Sequence, residues 1–200
     1  MNIVHAEDRE ANFIQAANSR LKSKAILSLT VIETNIDGMT LHIGQQAGQF
    51  GYGYQYDIVL KKNNKSVAVV MLNSCNDLNM VSGRYHNRIY EVFEPHCYTS
   101  KAYRGRGYVE SIYRWLLNSG LVFLSCGRQT AGSFGLWQKL GKDYGIRKLD
   151  IRYMRYVEEH QKISVHNSWI VTVLGDHMPK EAEVQIVLPQ SIRIDEPMFG

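Results

Sequence analysis

The sequence predicts an α/β protein of the α+β kind, with a mixed, mainly antiparallel sheet and flanking helices. Three observations predict it. Residues 56–72, YDIVLKKNNKSVAVVML, set two apolar runs on either side of a polar turn, which is a hairpin pattern. Residues 108–120, YVESIYRWLLNSG, place Val109, Ile112, Tyr113, Leu116 and Leu117 at i, i+3, i+4, i+7 and i+8, the repeat of a helix with one apolar face. Between that helix and the next helical stretch stands LVFLS (121–125), short and apolar enough for a buried strand.

The other elements follow along the chain. DREANFIQAANSRLK (8–22) brings Phe13, Ile14, Ala17 and Leu21 to one helical face, with Asp8 as a cap. KAILSLTVIET (24–34) is β-branched and apolar and reads as a strand, and TLHIG as a short second one. QQAGQFGYGYQY (45–56) reads as a glycine-rich loop, whose Tyr52, Tyr54 and Tyr56 would line a pocket if the loop faces a substrate. NSCNDLNMVSGRYHN (73–87) is a polar connector. RIYEVFEPHCYT (88–99) is a strand with Pro95 inside it; proline cannot donate to a ladder, so a bulge or splay is expected there. QTAGSFGLWQKLGKDYG (129–145) reads as a helix with Phe134, Trp137 and Leu140 on one stripe. The remainder is strand-rich. Residues 1–158 read as one domain, and 159–200 as a strand-rich extension packed on it.

Composition narrows the function classes. Cys75, Cys97 and Cys126 are odd in number and lack paired spacing, which argues against a disulfide framework and a zinc knuckle. The seven histidines show no metal-ligand spacing. No run of about 18 apolar residues exists, so no membrane span is expected, and the N-terminus does not read as a secretory signal; a cytoplasmic protein is expected. A net charge of +4 favours anionic ligands such as nucleotides. Scattered arginines leave a nucleic-acid role open, but no helix-turn-helix or RNA-binding signature accompanies them.

The chemistry-bearing stretch is YRGRGYV (103–109), between a strand and a helix. The first amides of that helix have no partner within it, and its dipole adds positive potential there. Gly105 and Gly107 let a ligand approach the backbone, and Arg104 and Arg106 add charge. Read alone, the stretch is either a tight turn or a phosphate seat. GxGxxG would need a small residue where Glu110 stands, and no GxxxxGK[ST] occurs.

The element order together with YRGRGYVESIYRWLL resembles the GCN5-related N-acetyltransferase superfamily, whose [Q/R]-x-x-G-x-[G/A] signature falls on Arg104, Gly105, Arg106, Gly107, Tyr108 and Val109. Val109 stands where that signature has a small residue. A second family pattern, N-x-x-A-x-x-L-Y-x-K-x-G-F, is similar to TAGSFGLWQKLGK: Ser133, Leu136, Lys139 and Gly141 take equivalent places, Thr130 replaces the asparagine and Trp137 the tyrosine. QTAGSFGLWQKL also resembles acetyltransferase-like proteins encoded by phages, for which the compartment would be the host cytoplasm. The resemblance covers roughly residues 8–158.

The resemblance implies a twisted sheet with a splayed pair of strands, 88–99 and 121–126. Acetyl-coenzyme A would be the co-substrate, its pyrophosphate on the amides of residues 104–109 and its pantetheine arm in the splay beside Thr99, Ser100 and Trp137. The acetyl group would pass to an amine of a small molecule or protein. The family's base is a carboxylate on the strand before the turn, so Glu94 is preferred, with Glu91 next and His96 third. The family's acid is a tyrosine; indole cannot replace it, which leaves Tyr144, Tyr108 or water. A second reading, favoured by the substitutions at Val109 and Trp137, is a non-catalytic module acting through a protein partner.

Overall fold

The structure, a computed structural model, describes residues 6–36, 38–47, 54–74, 92–119, 121–125, 131–150, 155–156 and 170–174. It is mixed α and β. Among the described residues the helices are α1 (Ala6–Leu21), α2 (Tyr108–Asn118) and α3 (Ala131–Tyr144). The strands are β1 (Ile26–Glu33), β2 (Met39–Ala47), β3 (Tyr54–Lys62), β4 (Lys65–Ser74), β5 (Val92–Thr99), β6 (Val122–Leu124), β7 (Ile146–Asp150), β8 (Arg155–Tyr156) and β9 (Ile170–Leu174). The chain divides into two compact units. The first holds the described residues up to Ser74 and Pro95–Trp115; the second holds Val92–Glu94 and the described residues from Leu116 onward.

In the first unit the strands run in the order β1-β2-β3-β4-β5, with β1 to β4 antiparallel. The β3–β4 turn is Asn63 and Asn64, both at positive φ (49° and 62°), the conformation that a two-residue hairpin demands and asparagine tolerates. Strand alternation divides the side chains. On one face Ala17 and Leu21 of α1 pack on Val59 and Val69, with Phe13, Ile14 and Ile26 against them. The helical stripe read from the sequence is therefore the stripe that packs. Gly44 makes this fit possible, because a Cβ there would stand 2.5 Å from Leu21 Cδ2 and 2.9 Å from Ile26 Cδ1. On the other face Leu41, Ile43, Ile58, Leu60, Val70 and Leu72 are buried. Phe13 stacks on Tyr98 of β5 with ring centroids 4.2 Å apart.

In the second unit the order is β5-β6-β9-β7-β8. β5 and β6 are parallel, in register at Val92–Val122 and Phe93–Phe123, and the remaining pairs are antiparallel. β9, from the segment read as an extension, lies between β6 and β7 and bonds to both. α3 lies against β7 and β9 and buries Trp137 and Leu140.

Three local expectations are corrected. α1 begins at Ala6, two residues before Asp8, so Asp8 is inside the first turn and is not the cap. The two ends of the stretch 45–56 are strand: β2 continues through Ala47, β3 begins at Tyr54, and Gln45, Gln46 and Ala47 pair with Tyr56, Gln55 and Tyr54, while 48–53 lie outside the described residues. Cross-strand pairing outweighs the loop-like composition, and the Tyr56 hydroxyl accepts a hydrogen bond from Gln45 Nε2 (3.2 Å); Tyr52 lies outside the described residues. Phe134 is 56% exposed, because at about 100° per residue a stripe of i, i+3 and i+6 drifts around the helix and its first member leaves the buried side.

Candidate functional site

The site is built where β5 hands the chain to α2. The Ser100 N–H donates to Val67 O on β4 (2.9 Å), and its C=O accepts from the Tyr103 N–H (2.7 Å). These bonds fix the end of β5 and start a 3-10 turn, Lys101–Tyr103. Both backbone groups of Ser100 are thereby engaged within the protein. Arg104 returns to extended backbone (φ −64°, ψ 151°), and its Nε donates to Thr99 O at 3.2 Å. Arg104, Gly105, Arg106 and Gly107 are all exposed.

Gly105 and Gly107 have φ of 74° and 79°, in the left-handed region where residues with a Cβ are strained. Neither has an atom within 4 Å of where a Cβ would stand. The first intrahelical bond of α2 runs from the Ser111 N–H to Gly107 O (2.9 Å), which makes Gly107 the helix's N-cap. A serine, threonine, asparagine or aspartate at this position would turn its side chain onto the first helical amides. Glycine has no side chain to do so. Among the described residues, no acceptor is bound to the N–H of Gly105, Arg106, Gly107, Tyr108 or Val109. The result is a run of amide donors without a described acceptor at the positive end of a helix, exposed at Gly105, Arg106 and Gly107, with two arginines beside it.

Side chains shape the rim of this turn. Arg106 Cζ stands 5.5 Å from the centre of the Tyr103 ring, within cation–π range, and the Tyr103 and Tyr108 rings are 6.4 Å apart. Glu110, the acidic residue of the first turn, pairs with Arg114 one turn along (3.1 Å), so a cation offsets its charge. Val109 is half-buried. Tyr103 has a part here that the motif did not assign; its signal in the sequence is an aromatic three residues before Arg106.

The remaining expected residues are distributed as follows. Alternation puts Glu94, His96 and Tyr98 on one side of β5 and Phe93, Pro95 and Cys97 on the other, with Phe93 buried and Glu94 and His96 half-buried. Burial pushes the Cys97 thiol pKa up, partly countered by a hydrogen bond with Tyr113. Glu91, Cys126 and Thr130 lie outside the described residues. Trp137 is 2% exposed, so the protein itself covers its indole. The Tyr144 hydroxyl donates to Asn118 Oδ1, in the last turn of α2, at 2.7 Å. Among the described residues no group of three or more histidine, cysteine, aspartate or glutamate side chains could hold a metal, and no helix is long and apolar enough to cross a membrane.

No family model matches the chain, and no curated protein matches it.

Proposed function

We propose that the chain is an N-acyltransferase of the GCN5-related kind, which takes an acetyl group from acetyl-coenzyme A and gives it to an amine. The observation that carries the reading is Gly107 as a side-chain-free N-cap, with amides from Gly105 to Val109 that meet no acceptor among the described residues and Arg104 and Arg106 alongside. That arrangement suits a pyrophosphate, which brings several acceptor oxygens and negative charge. A parallel β5–β6 pair directly before and after α2 supports the same reading, because the family runs its pantetheine arm between two such strands.

In this reading the amine's lone pair attacks the thioester carbonyl carbon. Glu94 takes the proton that the amine loses, directly or through water. The C–S bond then breaks, and the departing thiolate is protonated by Tyr108, by water, or by Tyr144 if its bond to Asn118 opens. The turn's part is to hold the nucleotide end, so that the thioester lies in one place. Titration calorimetry with coenzyme A and acetyl-coenzyme A tests the binding. Release of free thiol with a panel of amines tests the transfer. No heat and no thermal shift at millimolar ligand would remove the proposal.

One observation favours a second reading, a coenzyme A-binding module without turnover acting through a protein partner. Trp137 stands at the place of the family's acid and is buried, and indole N–H is no acid. Binding without thiol release for any amine would select it.

A further inference from the structure

We propose that Arg20, Gln46 and Gln55 form a binding site for a neutral carboxamide on the α1 face of the sheet. Gln46, Gln55 and Asn73 stand directly opposite one another on β2, β3 and β4, so three amides make one row across the strands. Asp57 lies two residues along β3 from Gln55 and so shares its face, and it is the carboxylate that Arg20 and Gln46 hold. The row is therefore on the side of the sheet that α1 covers.

Gln55 is the residue that points to a ligand. It is 8% exposed, and among the described residues its side-chain amide meets neither a donor nor an acceptor. A buried carboxamide left unpaired loses its bonds to water and gains none in return. β3 is an interior strand between β2 and β4, and Val59 and Val69 show that its α1 face accepts apolar side chains. An apolar residue at 55 would carry no such penalty.

Its neighbours also lack partners. Arg20 gives Nε and Nη2 to Asp57, and Nη2 also to Met71 Sδ at 3.3 Å, while Nη1 meets no acceptor among the described residues. Gln46 gives Nε2 to Asp57, and its Oε1 meets no donor among them. Gln46, Met71 and Asn73 are half-buried and the Arg20 side chain is 28% exposed, so the row reaches solvent.

The chemistry selects the ligand. Arg20 and Asp57 cancel each other's charge, so a carboxylate or an ammonium would enter as an uncompensated buried ion. The open groups include donors, at Arg20 Nη1 and Gln55 Nε2, and acceptors, at Oε1 of Gln55 and of Gln46. A neutral group that both accepts and donates satisfies the two kinds together. A carboxamide does so, whether as the primary amide of a small molecule or as a peptide group. The inference stands apart from acyl transfer, and its test uses no coenzyme A.

Two measurements on the full chain test it. In urea unfolding without ligand, Gln55→Met, which keeps the side-chain length and removes the polar atoms, is expected to have the higher midpoint. The second follows the Gln55 side-chain amide signals by NMR, assigned by their loss in Gln55→Met. Propionamide and N-acetylalanine methylamide are the probes, with methyl propionate and propionate as matched ligands that only accept. A saturable shift is expected with an amide, and the tighter of the two tells a small-molecule amide from a peptide group. The ester and the carboxylate should bind about tenfold or more weakly. Gln55 signals that neither amide shifts overturn the proposal. So does an ester or carboxylate that binds as tightly as the amides. A Gln55→Met protein less stable than the wild type overturns it as well, because the amide would then already be satisfied, by ordered water only.

Discussion

Arg20 holds Asp57 with two parallel hydrogen bonds, Nε to Oδ2 and Nη2 to Oδ1, each 2.7 Å long. Asp57 is wholly buried, and Gln46 Nε2 adds a third donor at 3.1 Å. A buried carboxylate persists only when its oxygens are met in this way. Arg20→Ala would leave a charge under α1 with one amide for company. We expect it to cost about 3 kcal/mol, the lower end for a buried pair because the Arg20 side chain is 28% exposed. Asp57→Asn should cost a similar amount, and the double variant clearly less than the sum. Urea unfolding of the four proteins measures the coupling; additive losses would show that the pair is not acting as one unit.

Gly107 offers a way to separate backbone strain from crowding. A Cβ there meets nothing within 4 Å, so Gly107→Ala introduces no clash, only a left-handed alanine (φ 79°) costing about 1–2 kcal/mol. The protein should fold with a modestly lower melting temperature. If the turn seats a pyrophosphate, coenzyme A affinity should fall by about tenfold or more while that of pantetheine, which lacks the phosphates, stays the same. Equal loss for both ligands would place the pyrophosphate elsewhere.

His42 sets a pH response. Burial, and then the nearby Lys61 charge, hold its pKa below the ordinary histidine value, so the fold favours neutral imidazole. The unfolded chain therefore binds this proton first as pH falls. Its contribution is complete above about pH 6.5, the unfolded value, and is lost as pH drops through the lower folded value. His42→Gln should flatten stability across that acid-side window. Lys61→Met should move the His42 titration upward, toward the ordinary value, when its imidazole signal is followed by NMR. A His42 titration at or above the ordinary value in the wild type would refute this account.

The element order was legible because burial here follows period. The α1 stripe, the β3–β4 hairpin and the α2 stripe all repeat at their proper spacing, and Ala17, Val59, Val69, Ile112 and Leu116 are buried as that spacing requires. Phe134 misled because three residues at intervals of three spread over about 120° of helix surface, more than the buried side of α3 accepts. Gln45–Ala47 misled because polar composition says nothing of a partner strand arriving opposite. Asp57 was readable only as a charge in an apolar strand; its partner is 37 residues away, and no local pattern names it. The glycine turn was visible as residue types, whereas the exclusion of any side-chain cap at Gly107 needed the first bond of α2 to be located.

The Asn63–Asn64 turn carries a consequence for the order of events during folding. It closes the shortest loop between any two described strands, and Lys62 and Lys65 already face each other across it. Its closure entropy is small, so the β3–β4 ladder can form before more distant contacts reward the chain. The parallel β5–β6 pair must wait for α2 to be laid down between its strands. A substitution that penalises positive φ, such as Asn64→Val, should therefore act mainly on the folding rate, while the same destabilisation placed in β9 should appear mainly as faster unfolding.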